Sequence, residues 1–314
     1  MRIGWIGLGN MGAPMSGRLA AAGHDVHGYD LVDEAREAAA ALGVTVEDTV
    51  AATVAGADVV VTMLPHHDIV RAVLDGPDGV LAHAEPGAVV IDSSTIDIDA
   101  ARSLHASVSA AGFRFLDAPV SGGISGAAAG TLTFMVGGDV AVLEEVRPVI
   151  EVMAGRIFHT GGPGNGQAAK LTNNMMLGIT LAATAEGAVL AERLGLDART
   201  FWEIAQVSSG DSWALRTWYP VPGVVETAAV NRDFTGGFAT ALLRKDLQLA
   251  LAAGESTATA LPFATAVRDR MDQLVELGLA DRDCSVLVKL VGGELSSPAR
   301  DEAVAATLSQ ETTA

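Results

Sequence analysis

A lysine followed by two asparagines stands in an otherwise apolar stretch of the sequence. Residues 164–174 are Gly-Asn-Gly-Gln-Ala-Ala-Lys-Leu-Thr-Asn-Asn. On a helix, Lys170 and Asn174 are four residues apart and share a face, with Asn173 close to it. Burial lowers the pKa of a lysine towards neutrality, so such an amine could take or give a proton at pH 7. A solvated surface lysine is the commoner case, and the segment alone leaves both interpretations open.

A glycine-rich segment near the start of the chain has the pattern of a phosphate-binding loop. Residues 7–12 are Gly-Leu-Gly-Asn-Met-Gly, after the apolar run 2–6 and before a stretch with helical spacing. In such a loop Gly7 permits the tight turn, Gly9 lets a pyrophosphate approach the backbone, and Gly12 lets helix and strand pack closely. A chance match is the alternative in a chain with 35 glycines. The strand before the loop and the helix after it favour dinucleotide binding.

An acidic residue follows this loop at the distance that dinucleotide-binding proteins use. Asp30 lies 18 residues after Gly12, at the end of a second predicted strand. A carboxylate at this place accepts hydrogen bonds from a ribose diol and repels a 2′-phosphate. The sequence therefore predicts NAD, rather than NADP, as the cofactor.

Two more polar segments follow predicted strands, at the sheet edge where open α/β proteins bind ligands. They are Asp-Ser-Ser-Thr-Ile at 92–96 and Asp-Ala-Pro-Val-Ser-Gly-Gly at 117–123. In the second, glycine N–H groups beside a serine hydroxyl suit a carboxylate, although an ordinary turn explains the same residues equally well. A later segment holds Lys245 and Asp246. It forms either a surface ion pair or a contact towards the cofactor, and spacing leaves that choice open.

The elements that must position these residues begin with an alternation of strands and helices. Through residue 160, short apolar runs alternate with Ala-rich helical stretches, which indicates a parallel sheet covered on both faces. The predicted strands are Arg2–Ile6, Asp25–Tyr29, Asp58–Met63, Ala88–Ile91, Phe113–Leu116, Thr131–Val136 and Arg156–Thr160. The predicted helices among them are Met11–Ala22, Asp33–Leu42, Asp97–Ala110 and Ala141–Met153.

A glycine-rich break at residues 161–166 ends this alternation, and the chain after it has helical spacing alone. The later predicted helices are Gln167–Arg193, Ala198–Val207, Thr240–Ala253, Pro262–Leu277 and Asp283–Leu290. The sequence thus predicts an α/β fold class with an N-terminal Rossmann-type doubly wound sheet in residues 1–162. An all-α domain follows in residues 163–295, and residues 296–314 form a polar tail.

Composition excludes several kinds of protein. The formal net charge is −18, from 20 Lys and Arg against 38 Asp and Glu, and it disfavours nucleic acid or an anionic membrane as partner. Cys284 is the only cysteine, which excludes an intrachain disulfide. The adjacent His66, His67 and Asp68 diverge too much to predict a metal site. No secretory or transit segment is recognisable, and the apolar stretch Met175–Ala191 is shorter than the ~20 residues that span a bilayer. We therefore expect a cytoplasmic protein without a metal.

Taken in order, the motifs resemble those of the β-hydroxyacid dehydrogenase family. They are residues 7–12, 92–96, 117–123, 164–174 and 245–247, and the resemblance extends to about Val291. It implies an NAD-dependent oxidoreductase acting on a small carboxylate substrate, assembled as a homodimer or homotetramer. Residues 208–213 and 220–223 are most similar to members that oxidise 3-hydroxyisobutyrate to methylmalonate semialdehyde in valine breakdown.

The resemblance also assigns roles to single residues. It implies that Lys170 is the general base that takes the alcohol proton, while Asp246 orients its neighbours. The residues implied to bind substrate are Ser121, Gly122, Gly123, Asn174 and Trp213. The residues implied to contact NAD are Gly7, Gly9, Asn10, Met11, Gly12, Asp30, Leu64, Pro65, Thr95 and Lys245. Trp218 stands where relatives often carry tyrosine, which leaves the preferred substrate open, and core packing explains both tryptophans as well.

Three alternatives remain beside this interpretation. The same chemistry could act on another small 3-hydroxy acid, such as serine or the glycerate and tartronate semialdehyde pair. Imine reduction is a second alternative, but enzymes of that kind generally lack the lysine found at 170. A redox sensor that only binds NAD is a third, and it would need neither Lys170 nor Asn174.

Overall fold

The computed structural model describes residues 1–295, so the predicted polar tail of residues 296–314 lies outside the described residues. The chain divides into two compact units, Met1–Thr172 and a second that begins at Asn173. We keep the boundary after residue 162 as a proposal, because it lies between the last strand and the long helix that continues into the second unit.

The first unit alternates strands and helices as the sequence predicts. Its strands are β1 (Arg2–Ile6), β2 (Asp25–Tyr29), β3 (Thr45–Val46), β4 (Val59–Thr62), β5 (Val89–Asp92), β6 (Arg114–Asp117), β7 (Val120–Ser121), β8 (Leu132–Gly138) and β9 (Ala154–Gly161). Its helices are α1 (Gly12–Ala21), α2 (Asp33–Ala40), α3 (Val50–Val54), α4 (His67–Asp75), α5 (Val80–His83), α6 (Ile98–Ala110), α7 (Gly123–Ala129) and α8 (Val140–Glu151), followed by the start of α9 (Asn165–Arg193).

Six strands form the doubly wound part of the sheet, in the order β3-β2-β1-β4-β5-β6, and all their pairings are parallel. The chain reverses direction of travel across the sheet between β1 and β4, which is where such folds bind dinucleotides. Alternate residues of the central strands enter two cores, Val59 and Val61 on one face and Val60 on the other. Helices cover both faces, and β4 and β5 are therefore fully buried and apolar except at their last residues, Thr62 and Asp92.

The far side of the sheet departs from the wholly parallel arrangement that the sequence suggested. Strand β8 runs antiparallel to β6 and β7, and β9 pairs parallel with β8. The reason is the short connection after β6, where β7 and α7 turn the chain back and Gly130 ends α7 at φ +68°. A parallel crossover usually needs a full helix in the connection.

The second unit is helical in every described element after α9. Its helices are α10 (Ala198–Ala205), α11 (Trp213–Trp218), α12 (Thr240–Ser256), α13 (Pro262–Glu276) and α14 (Leu287–Gly292), with 3₁₀ turns at Ala229–Arg232 and Cys284–Val286. The predicted helix Asp283–Leu290 is thus a 3₁₀ turn followed by α14. Helices α12 and α13 pack together around a core that includes Leu243, Leu247, Met271 and Leu274.

Helix α9 is long and mostly apolar. Within residues 1–295 it is the one helix long and apolar enough to cross a membrane, and 39% of its most apolar window is buried. The core helix of a soluble protein meets the same criterion of length and composition. Leu181 and Ala185 of α9 lie in the core of the second unit.

Candidate active site

The glycine loop after β1 has a shape that only glycine allows at two positions. Gly7 has φ +96°, and a Cβ on it would lie 2.3 Å from the carbonyl oxygen of Met63. A Cβ on Gly12 would lie 1.8 Å from the carbonyl oxygen of Gly7. Gly9 has no atom within 4 Å of its Cβ position, so the backbone there is open. Tight packing at Gly7 and Gly12 with open space at Gly9 fits a bound pyrophosphate beside the start of α1.

Asp30, the residue predicted to bind the ribose, also holds the glycine loop in place. Its Oδ2 accepts the backbone N–H of Leu8 at 2.7 Å, and its Oδ1 accepts the N–H of Val32 at 2.9 Å. A carboxylate offers about four acceptor positions, so two bonds leave capacity for a ribose diol. The indole Nε1 of Trp5 donates to the carbonyl oxygen of Gly7 at 2.9 Å. This structural role of Asp30 and Trp5 was not predicted from the sequence.

The loops after β4 and β5 carry the next predicted cofactor contacts and are joined to each other. The N–H of Leu64 donates to Oγ of Ser94 at 2.9 Å. The N–H of Ser94 donates to Oδ1 of Asp92 at 3.1 Å, and the Thr62 hydroxyl donates to the same oxygen at 2.8 Å. Parallel strands end at one sheet edge, so Leu64, next to Pro65, and the residues around Thr95 share the edge where Gly7 lies.

Asp92 is an unusual carboxyl group at the end of β5. It is fully buried, and its Oδ2 accepts no hydrogen bond from the described residues. Burial raises the pKa of Asp92 to about 6, with hydrogen bonds from Ser94 and Thr62 acting in the opposite direction and Asp117 adding to the rise. The pKa of this carboxyl group is higher in the folded protein than in the unfolded chain. The folded state is therefore more stable when the group is protonated than when it is ionised.

We expect the Asp92→Asn variant to be more stable than the wild type at neutral pH. The folded pKa of about 6 lies above the ordinary 3.8, so the ionised wild type loses stability as pH rises through this window, by at most about 3 kcal/mol. The asparagine Oδ1 can keep both hydrogen bonds. Urea unfolding at pH 7.5 and pH 4 measures the effect, with Asp78→Asn at an exposed position as control. An equal stability difference at both pH values would contradict the account.

The predicted carboxylate-binding loop lies between β7 and α7. Ser121 ends β7 and is half-buried, while Gly122 and Gly123 are exposed with φ of +135° and +63°. Two consecutive positive φ values are conformations that glycine adopts and other residues rarely do. The backbone shape of this loop therefore depends on its two glycines, which are exposed beside the Ser121 hydroxyl.

The start of α9 is more regular than the predicted glycine break. Strand β9 continues through Gly161 and α9 begins at Asn165, so the prediction of an irregular stretch over 161–166 was wrong at both ends. The buried carboxylate of Asp117 provides the reason, because it accepts the N–H groups of Gly164 at 2.9 Å and Gln167 at 3.0 Å. Burial raises the pKa of Asp117, and these backbone bonds lower it. Asp117 thus acts as the cap of α9.

Lys170 lies in the second turn of α9 and is only 9% exposed. The interpretation as a solvated surface lysine is therefore excluded. Asn174 follows one turn later and is also buried, and its Nδ2 donates to Oδ2 of Asp246 in α12 at 2.6 Å. Asn173 donates to Oδ1 of Asn174 at 3.1 Å, so the amide of Asn174 has a fixed orientation.

Lys245 and Asp246 do not form a surface ion pair. Asp246 is buried, and the Lys245 Nζ lies 3.5 Å from its Oδ1. Trp213 and Trp218, at the two ends of α11, pack edge to face with ring centroids 4.9 Å apart. Trp213 remains about half exposed, so its ring offers apolar surface as well as packing.

The chain matches two family models and several characterised relatives. Residues 2–161 match the NAD-binding domain of 6-phosphogluconate dehydrogenase. Residues 164–291 match a second model, described as NAD-binding of NADP-dependent 3-hydroxyisobutyrate dehydrogenase. An NAD-dependent L-serine dehydrogenase of Pseudomonas aeruginosa is 45% identical over 92% of this chain and 97% of its own. The mitochondrial 3-hydroxyisobutyrate dehydrogenase of Drosophila melanogaster is 44% identical over 93% and 90%.

A solved structure agrees with these matches. The 3-hydroxyisobutyrate dehydrogenase of Mycobacterium tuberculosis, described with L-serine, superposes with a TM-score of 0.85 at 47% identity over 92% of this chain and 98% of that one. The predicted fold class is confirmed. With its glycine loop and this set of relatives, the chain belongs to the β-hydroxyacid dehydrogenase family and is an oxidoreductase that uses a nicotinamide dinucleotide.

Proposed function

We propose that this enzyme oxidises 3-hydroxyisobutyrate to methylmalonate semialdehyde with NAD, as a step of valine breakdown. The observation that carries the proposal is the buried Lys170 on α9, one turn from an amide that Asp246 orients. A redox sensor would need neither group. The names of the Drosophila and Mycobacterium tuberculosis relatives support the choice of substrate.

In the proposed reaction Lys170 acts as the general base. Its neutral Nζ accepts the proton of the substrate hydroxyl while the hydroxyl carbon gives up its hydride, so the alcohol becomes an aldehyde. The bound dinucleotide supplies the hydride acceptor. Ser121, Gly122 and Gly123 hold the carboxylate through a hydroxyl and backbone N–H groups. Asn174 orients the substrate, and Trp213 offers an apolar wall to its methyl group.

We propose that the pyrophosphate binds at the turn between β1 and α1. The residues of this turn that would contact it are Gly7, Gly9, Asn10, Met11 and Gly12. Asp30 would accept the ribose hydroxyls and disfavour a 2′-phosphate, which supports NAD over NADP. Leu64, Pro65, Thr95 and Lys245 complete the proposed contacts to the dinucleotide.

L-Serine is the second candidate substrate. The Pseudomonas aeruginosa relative is named for it, and the Mycobacterium tuberculosis structure is described with it. Serine and 3-hydroxyisobutyrate share the carboxylate and the CH₂OH group. They differ at the carbon between these groups, where serine carries an ammonium group and 3-hydroxyisobutyrate carries a methyl group. An ammonium group needs acceptor oxygens, whereas a methyl group favours apolar surface such as Trp213.

The experiment is NADH formation by purified enzyme on a panel of 3-hydroxy acids, each with NAD and with NADP. The panel holds both 3-hydroxyisobutyrate enantiomers, L-serine, glycerate, 3-hydroxypropionate and 3-hydroxybutyrate. The proposal predicts the highest kcat/KM for one 3-hydroxyisobutyrate enantiomer with NAD. A higher kcat/KM for L-serine would make L-serine the substrate in place of 3-hydroxyisobutyrate. A preference for NADP would contradict the role given to Asp30.

We also propose that the enzyme is a cytoplasmic homodimer or homotetramer. The second unit leaves large apolar side chains exposed on α9, on α10 and in the segments that follow each helix, namely Met176, Leu190, Leu194, Leu196, Ile204 and Val207. Large exposed apolar side chains concentrated in one part of the chain support an interface between subunits. Sedimentation equilibrium gives the mass directly, and a monomer at micromolar concentration would contradict the proposal.

A further inference from the structure

Gln167 lies one helical turn before Lys170, and its side chain is completely buried. Its Nε2 donates to the carbonyl oxygen of Ser94 at 2.7 Å, and its Oε1 accepts the N–H of Ile96 at 3.1 Å. Ser94 and Ile96 are the two neighbours of Thr95 in the sequence. One amide therefore fixes the backbone on both sides of Thr95, and we call this pair of bonds the Gln167 bridge.

The backbone of Gln167 is fixed as well. Its N–H donates to Oδ2 of the buried Asp117 at 3.0 Å. The residue before it, Gly166, is so close to β6 that a Cβ would lie 2.4 Å from the carbonyl oxygen of Asp117. The first turn of α9 is consequently held against the end of β6, and Gln167 cannot shift without breaking bonds at both ends.

The Gln167 bridge continues into the loop after β4. The Ser94 side chain, next to the carbonyl that Gln167 binds, accepts the N–H of Leu64 at 2.9 Å. Hydrogen bonds thus run from the loop of Leu64 through Ser94 to the helix of Lys170. The proposed cofactor contacts at Leu64 and Thr95 and the proposed base are joined by one side chain.

We propose that Gln167 is a positioning residue for the reaction, holding the Thr95 loop and the first turn of α9 at a fixed separation. It thereby sets where the Lys170 amine stands relative to the dinucleotide that Thr95 contacts. The inference rests on the function proposed above. The two bonds of the Gln167 bridge require a donor and an acceptor at the end of one uncharged side chain, and a primary amide has both.

The test compares Gln167→Met with Val146→Ala. Methionine has a similar length but forms neither bond, while Val146 is a buried core residue of α8 remote in sequence from the Gln167 bridge. Both variants should unfold at lower temperature than the wild type. Gln167→Met alone should lower kcat by about 10- to 100-fold, because a small misplacement of reacting groups has effects of this size. It should also raise the primary deuterium isotope effect on kcat, and exchange of the Ile96 amide proton should accelerate.

Gln167→Glu gives an independent test, because the glutamic acid side chain has nearly the same size and shape as glutamine. A protonated glutamic acid has a donor and an acceptor, as the amide has, whereas its anion could not donate to the carbonyl oxygen of Ser94. The anion would also add a negative charge near two buried carboxylates, Asp117, which accepts the N–H of residue 167, and Asp92, which accepts the N–H of Ser94. We expect the ratio of the variant's kcat to the wild-type kcat to fall as pH rises. A merely structural role would give a ratio that does not change with pH.

The proposal is overturned if Gln167→Met keeps the wild-type kcat and isotope effect, or if it changes them no more than Val146→Ala does. If the wild type oxidises no acid of the panel, the proposed function fails separately. The affinity for NADH then decides, because Gln167→Met should weaken it by about 3- to 10-fold through the released Thr95 loop. An unchanged dissociation constant would overturn the proposal in that case.

Discussion

The Lys170→Ala variant should lose about 10²- to 10⁴-fold in kcat, the range that a general base contributes. The reason is that Lys170 is the group proposed to accept the hydroxyl proton, so its removal leaves that step without its base. The chain has three lysines, Lys170, Lys245 and Lys289. Affinity for NADH and the melting temperature should change little, because Lys170 is proposed to act on the substrate. Initial rates and NADH fluorescence titration measure the two quantities.

Lys289→Ala is the matched control for this prediction. Its Nζ lies 3.4 Å from Asp233 and 5.2 Å from the centre of the Phe234 ring, so its removal deletes an amine with local contacts in the second unit. We expect near wild-type kcat in that variant. Small primary amines added to Lys170→Ala should restore part of the rate. Near-normal turnover by Lys170→Ala in an intact fold would show that the mechanism is wrong.

Gly12→Ala should impair both folding and cofactor binding. The added methyl would lie 1.8 Å from the carbonyl oxygen and 2.8 Å from the carbonyl carbon of Gly7. Because these are backbone atoms, no flexible side chain can move to make room. Overpacking costs about 1–3 kcal/mol, which corresponds to a melting temperature lower by about 2–12 °C. The glycine loop would open, and we expect at least about a tenfold weaker affinity for NADH because the loop no longer follows the pyrophosphate.

Gly9→Ala separates the two effects. Its Cβ meets no atom within 4 Å in the protein, so the melting temperature should stay that of the wild type. The methyl would nevertheless stand where the pyrophosphate is proposed to approach the backbone, and NADH affinity should fall. Gly187→Ala, in α9 with open space around it, should change neither. Unchanged NADH affinity in Gly9→Ala would contradict the proposed path of the cofactor.

The long elements of the fold were predictable because each has a clear period. Strands β1 and β2 match their predicted bounds, and the long α9 begins only two residues before the predicted start. Although the nine-residue α4 was also missed, most of the missed elements are short, such as β7 with two residues and α3 with five. Their formation depends on tertiary pairing, such as that of Val120 with Phe134, which leaves no periodic signal.

Within the candidate site, the sequence indicated the motifs but not the bonds between them. Asp117 was visible as an acid at the end of a strand, yet its role as cap of α9 depends on β6 and α9 meeting in space. Gln167 stood inside a recognised motif and looked like one more helical residue. Only the fold brings its amide to Ser94 and Ile96, residues more than 70 positions earlier.

The most direct test of the central claim is to follow the hydrogen that leaves the substrate carbon. The enzyme is given NAD and 3-hydroxyisobutyrate carrying deuterium on its CH₂OH carbon, and the reduced dinucleotide is analysed by mass spectrometry. The account predicts one deuterium in each molecule of reduced cofactor and an equal amount of methylmalonate semialdehyde. Reduced cofactor without deuterium, or semialdehyde formed without reduced cofactor, would contradict it.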